Sequence, residues 1–172
     1  MLQSTRPTFA SEKLETRLAF AQASSYGERF VRRILIVDDD VGLTRVMREA
    51  LTSFLVCDVD TSPNPEYGFE LALKKTYDLM IFDFSMPMID GAMLFFLLGK
   101  VYGHSQPPRI VPPLLLVTGK GEEERARDLL REAGVRGLVA KPFAINRLIE
   151  KVKECLPGIE TVVSSKPGRG SP

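Results

Sequence analysis

Four short apolar runs in this 172-residue sequence each end in residues able to do polar chemistry. Residues 34–37 run into Asp38-Asp39-Asp40, 79–82 into Asp83, 114–117 into Thr118, and 138–140 into Lys141. Carboxylates gathered from two such runs repel one another and raise each other's pKa unless a cation neutralises them. A hard divalent ion held by about two carboxylates plus water is the economical solution, and Mg²⁺ (or Mn²⁺) fits it. Lys141 adds a second positive charge and Thr118 a hydroxyl donor. Carboxylates, a metal, an ammonium and a hydroxyl together suit phosphoryl transfer, with one carboxylate as nucleophile and the cations stabilising oxygens of the moving group.

The elements that must gather these residues follow from periodicity. The runs 34–37, 79–82 and 114–117 are continuously apolar, as in strands buried on both faces. Residues 56–59 and 138–140 predict two further short strands. Leu43, Val46, Met47, Ala50, Leu51 and Phe54 repeat at helical spacing and define a first helix. Asn64-Pro65-Glu66 supplies a cap, a first-turn proline and an acidic first turn for a second helix reaching Thr76. Further helices are expected over 91–98, 122–133 and around Ile145, Leu148, Ile149 and Val152. Five strand–helix alternations predict an α/β fold: a five-stranded parallel sheet, flavodoxin-like order 2-1-3-4-5, with helices on both faces. That order sets strands one and three side by side and brings Asp38, Asp39 and Asp83 into one pocket at the carboxyl ends of the strands.

The blocks RRILIVDDD, DLMIFDFSMPMIDG, LLLVTGKG and GLVAKPF, in that order, closely resemble the signature blocks of response-regulator receiver domains. The resemblance covers roughly 33–156 and draws its specificity from co-occurrence; an acidic pair after a strand is weak evidence alone. It implies Asp83 as phosphoacceptor and Asp38 with Asp39 as the metal-binding pair. It further implies that Ser85 lends its backbone carbonyl to the metal, that Thr118 binds the arriving phosphoryl group, and that Lys141 bridges to the phosphoaspartate. The Lys141–Pro142 bond is expected to be cis, as in the family. Two features depart from the pattern: Leu138 stands where receivers usually carry an aromatic switch residue, and the stretch 99–113 before the fourth strand is longer and more Pro-rich than usual. The implied partners are a histidine kinase or phosphotransfer protein upstream and an unknown protein downstream. Output is expected through the face of the fourth helix, fifth strand and fifth helix, gated by phosphorylation. A phosphorelay intermediate and a phosphorylation-independent scaffold are the alternatives.

Plainer roles suit other residues. Asp40 reads as surface, Asp90 before Gly91 as a helix cap, and Lys120 as either a flank of the site or a solvated lysine. His104, the one histidine, reads as a loop residue, in a Pro-rich stretch 99–113 expected to be an ordered loop. Cys57 and Cys155 lack metal-site spacing and read as reduced thiols. A formal net charge of +1 gives no argument for nucleic acid, and no DNA-recognition helix is evident, so direct DNA binding is not expected. The longest apolar run, 92–98, falls far short of the roughly 20 residues of a membrane span, and a cytoplasmic protein is expected. True enzymes using an aspartyl phosphate usually carry a cap domain, and nucleotide binders a Gly-rich loop after the first strand; neither kind of protein is expected here. The chain is expected to divide into an extension that can be part helical (1–32), a receiver (33–156) and a disordered tail (157–172). Six successive apolar residues at 93–98 exceed what one sheet face covers. Leu14, Leu18 and Ala21 suggest a helix over 12–23 that packs there; the alternative is that this face joins another protein.

Overall fold

The computed structural model describes residues 31–132 and 134–162. The expected helix at 12–23, nearly all of the expected extension and the end of the tail lie outside them. Alternation gives β1 (Arg32–Val37), α1 (Val41–Phe54), β2 (Cys57–Ser62), α2 (Pro65–Lys74), β3 (Leu79–Asp83) and α3 (Gly91–His104). It continues with β4 (Leu114–Thr118), α4 (Glu123–Asp128) with a 3-10 turn (Leu129–Arg131), β5 (Val135–Ala140) and α5 (Ile145–Cys155). The strands form one parallel sheet in the order β2-β1-β3-β4-β5.

Side chains alternate across each strand, so the sheet divides its apolar residues between two cores. Ile34, Ile36, Ile81, Leu115 and Val117 pack with Met47, Leu51, Leu148 and Val152 of α1 and α5. Leu35, Val37, Met80, Phe82, Leu114 and Leu116 pack with Leu71, Leu94, Leu98 and Tyr102 of α2 and α3. Strands β1, β3 and β4 are sealed on both sides, which is why they read as unbroken apolar runs. Cys57 lies buried in the first core, where desolvation pushes its thiol up to about 11; Cys155 is half-buried and shifted the same way for the same reason. Neither is a reactive thiolate at neutral pH.

Boundaries differ where the apolar signal was discontinuous. Strand β5 begins at Val135 rather than Leu138, because Arg136 and Gly137 interrupt the run on a strand that pairs only with β4. Strand β2 is Cys57–Ser62 instead of 56–59, and α4 is shorter than 122–133, giving way to the 3-10 turn. Within the segment expected as a disordered tail, the described residues 157–162 make sheet-like contacts, with Thr161 bridged to Leu55 and the Val56 N–H donating to the Glu160 carbonyl.

The largest correction is α3. It continues to His104, so Gly99–His104 is helix and His104 is its last residue. Gly99 and Gly103 masked a stripe of Leu94, Leu98 and Tyr102, spaced by four and fully or almost fully buried. Met93, Phe96, Leu97 and Val101 remain exposed on the other side of this helix, as the apolar excess at 93–98 required.

Only the remainder of the Pro-rich stretch is loop, and one side chain fixes it. The Arg109 guanidinium donates to the carbonyls of Ala72 (3.1 Å), Leu73 (3.2 Å) and Lys75 (2.9 Å), and lies 4.0 Å from the Tyr102 ring centroid. These are carbonyls at the end of α2 that helix geometry leaves without intrahelical partners, and a cation there also suits the helix dipole. We predict that Arg109→Ala lowers stability by about 1–3 kcal/mol in urea denaturation. Arg109→Lys should recover little of this, since one ammonium cannot reproduce the planar fork. Equal stability of Arg109→Lys and wild type would contradict the clamp.

Candidate functional site

The sheet order places the ends of β1 and β3 next to each other, with Val37 in register with Phe82, and Asp38 and Asp83 each one residue further on. Asp38 is fully buried and Asp83 nearly so, whereas Asp39 faces solvent. One carboxylate oxygen from each of the three lies within 4.8 Å of the other two. Asp40 turns away: its side chain accepts from the Leu43 N–H at 2.9 Å and caps α1. The acidic triplet therefore splits into two carboxylates for the pocket and one for the helix. Its geometry is locked by the Asp40 N–H, which donates to Asp38 Oδ1 at 2.9 Å.

The cationic side of the pocket comes from the turn after β5. The Lys141 N–H donates to the Thr118 carbonyl at 2.7 Å, and the Lys141–Pro142 bond is cis. Lys141 Nζ lies 2.8 Å from Asp83 and 2.9 Å from Asp38. Burial alone would lower the Lys141 pKa, but its hydrogen bonds to Asp83 and Asp38 more than offset this and hold it above the usual lysine value. One ammonium does not neutralise three carboxylates. Desolvation pushes Asp83 up to about 6; Lys141 pulls against this, while Asp38 and Asp39 add to it. Thr118 is fully buried, and its hydroxyl has no hydrogen-bond partner among the described residues. An unsatisfied buried hydroxyl costs about 1–3 kcal/mol, so a hydroxyl held there fits a pocket that receives an oxygen acceptor. All-oxygen donors carrying excess negative charge also fit a hard divalent cation.

Gly91, Asp90 and Glu122 also shape the pocket, and the sequence reading did not single out any of these three for it. A Cβ on Gly91 would stand 2.2 Å from the Asp83 carbonyl oxygen, so only glycine lets α3 start against the end of β3. Asp90 caps that start by accepting from the Met93 N–H. Ser85 is exposed, and its hydroxyl donates to Glu122. The Glu122 carboxylate also accepts from the Gly119 N–H at 2.8 Å. The steric need for Gly91 is invisible in a lone glycine after a capping residue, and Glu122 reads from sequence as an ordinary helix-start acid. Leu138 lies half-buried on β5 against the α2–α3 core, and Lys120 is exposed. Beside the pocket, Leu43, Val46, Phe143 and Ile145, with Lys120 and Lys141, line an open apolar recess of about 490 Å³.

A five-stranded parallel sheet with an acidic pocket and a lysine at its carboxyl edge defines the class of receiver domains, and comparison with known proteins agrees. The family model for the response regulator receiver domain matches residues 34–153, so the chain belongs to that family. It is 31% identical over 135 residues to the probable transcriptional regulatory protein SilR of Salmonella typhimurium, covering 77% of this chain and 54% of that protein. It is 28% identical over 124 residues to the probable chemotaxis protein CheY of Rhizobium etli, covering 67% and 85% respectively. The chain spans about half the length of SilR, and 48% of the regulatory protein ResD of Bacillus subtilis. Among solved structures, the response regulator TrrA of Thermotoga maritima, in complex with Mg²⁺ and BeF, aligns with a TM-score of 0.59 at 28% identity. That match covers 73% of this chain and all of TrrA. The chemotaxis protein CheY4 of Vibrio cholerae shares the fold, with a TM-score of 0.62 at 21% identity, over 73% of this chain and 99% of CheY4. These relatives are regulators of signalling rather than classical enzymes. Among the described residues, no helix is long and apolar enough to cross a membrane.

The pocket's charge imbalance has a measurable consequence. The folded-state pKa of Asp83, about 6, lies above the ordinary value of 3.8. Between these values the folded protein keeps a proton that the unfolded chain has released, so Asp83 increasingly opposes folding as pH rises through that window. In Mg²⁺-free buffer, Asp83→Asn is predicted to be more stable than wild type at pH 7, by on the order of 1–3 kcal/mol. The difference should shrink toward pH 4, and added Mg²⁺ should stabilise wild type more than the variant. Urea denaturation at both pH values checks this; a difference independent of pH would contradict it.

Proposed function

We propose that residues 33–156 act as a phosphorylation-dependent signalling switch, with Asp83 as phosphoacceptor. The observation that carries this reading is the placement of Asp83: nearly buried at the end of β3, among Asp38 and Asp39, with Lys141 Nζ at 2.8 Å. A carboxylate oxygen of Asp83 attacks the phosphorus of a phosphohistidine on a histidine kinase or phosphotransfer protein. The P–N bond breaks and its electron pair leaves with the imidazole. Asp38, Asp39, Asp83 and the Ser85 backbone carbonyl would hold Mg²⁺ or Mn²⁺, which when bound supplies positive charge to the phosphoryl oxygens.

Lys141 is already shared between Asp38 and Asp83, so it needs little movement to reach an oxygen on the phosphorylated side chain. Thr118 brings the unsatisfied hydroxyl that a new oxygen acceptor completes. The apolar recess of Leu43, Val46, Phe143 and Ile145 beside the pocket suits the docking of a helical phosphodonor. Output runs through protein contacts at the face of α4, β5 and α5: a phosphoryl group binds one conformer better and shifts the population toward it. Two free cysteines with raised pKa values suit a reducing, cytoplasmic setting.

A second reading, a scaffold independent of phosphorylation, draws on Leu138, which offers no aromatic ring at the usual reporter position. Intact mass after acetyl phosphate with Mg²⁺ separates the two. The predicted outcome is one added phosphoryl group on wild type, and none on Asp83→Asn or in the presence of a chelator. Folded wild type without any adduct would favour the scaffold.

A further inference from the structure

Glu122 immediately precedes α4, and its carboxylate ties together the two loops that flank Asp83. One oxygen accepts from the hydroxyl of Ser85, two residues beyond Asp83; the other accepts from the N–H of Gly119, next to Thr118, at 2.8 Å. The β3 and β4 ends that carry these loops are neighbours, with Asp83 in register with Val117 and the Phe84 N–H donating to the Val117 carbonyl at 2.7 Å. On the β4 side of the pocket, the Thr118 hydroxyl is thus unpartnered among the described residues, while the next donor along the chain, the Gly119 N–H, is taken by an internal carboxylate.

This arrangement matters once Asp83 is phosphorylated. A phosphoryl group carries about two negative charges and three strong acceptor oxygens. With Lys141 on one side, the oxygens directed toward β4 meet the donors of Thr118 and Gly119. A carboxylate bound to one of those donors competes with them and repels them across a partly desolvated gap. We propose that Glu122 is a positioning residue that acts as an internal anionic gate. It latches the two loops before phosphorylation, and it must release the Gly119 N–H for the phosphoryl group to be accommodated. Because Glu122 adjoins the first turn of α4, its release is also coupled to the start of the helix that contributes to the proposed output face. The inference rests on the phosphoacceptor reading of Asp83.

The test compares rates of acetyl-phosphate phosphorylation, followed by intact mass with Mg²⁺, for wild type, Glu122→Gln, Glu122→Ala and Glu124→Gln. Glutamine keeps an oxygen acceptor for the Gly119 N–H but removes the charge, so a purely structural latch is rescued by Glu122→Gln and an anionic gate is not. The expected result is a rate several-fold above wild type in both Glu122 variants. Glu124→Gln, which removes an exposed charge two residues away, should stay within about twofold of wild type, and so reports on general electrostatics. Wild-type rates in Glu122→Gln, or equal acceleration by Glu124→Gln, overturn the gate while leaving Asp83 as the phosphoacceptor. No adduct on any of the four proteins overturns the phosphoacceptor reading, and the gate with it. Thermal melts of all four keep a loss of folding from passing as a kinetic effect.

Discussion

Three carboxylates crowd one end of this sheet against a single ammonium, one of them fully and one almost fully buried, and most of the molecule serves to enforce that arrangement. Charges of one sign are costly to desolvate together. The rigid framework supplies the opposing free energy: β1, β3 and β4 are sealed between two apolar cores, so the strand ends cannot splay to relieve the repulsion. Lys141 reduces the imbalance without removing it, and Asp83 keeps a pKa near 6. A pocket in this condition favours ligands that add positive charge, and this is the setting in which we propose that Asp83 acts as nucleophile.

The elements around the pocket follow from the same requirement. Gly91 lets α3 approach the Asp83 carbonyl closely, and Asp90 anchors the helix start there. Asp40 takes the capping role at α1, leaving Asp38 and Asp39 free to face the site. Arg109 fixes the far end of α2 to the loop after α3, which steadies the helical layer covering that face of the sheet. Rigidity distributed in this way confines the strands, and under the switch we propose a change at Asp83 would be taken up by the loops and α4.

Much of this was legible in the sequence because the strands buried on both faces produce unbroken apolar runs, and the chemistry lies at the ends of those runs. The cap residues Asn64 and Asp90 follow from local patterns, and the strand order, with the meeting of Asp38, Asp39 and Asp83, from the topology rules that govern five strand–helix alternations. What was not legible depends on tertiary contact. The end of α3 was hidden by Gly99 and Gly103, since only the burial of Tyr102 makes that last turn worthwhile. The start of β5 was hidden because an edge strand need not be apolar on both faces. Glu122 gave no signal because its partners, Ser85 and Gly119, belong to two different loops brought together by the fold.

We propose that this pocket makes Asp83, and neither Asp38 nor Asp39, the residue that takes up a phosphoryl group. Reductive trapping with borohydride after acetyl phosphate and Mg²⁺, followed by peptide sequencing in a mass spectrometer, reads the site directly, because an acyl phosphate is reduced to an alcohol where a free carboxylate is not. Conversion confined to Asp83 and abolished by chelation is the result the account predicts. Conversion at Asp38 or Asp39, or conversion at Asp83 that persists without metal, would contradict it.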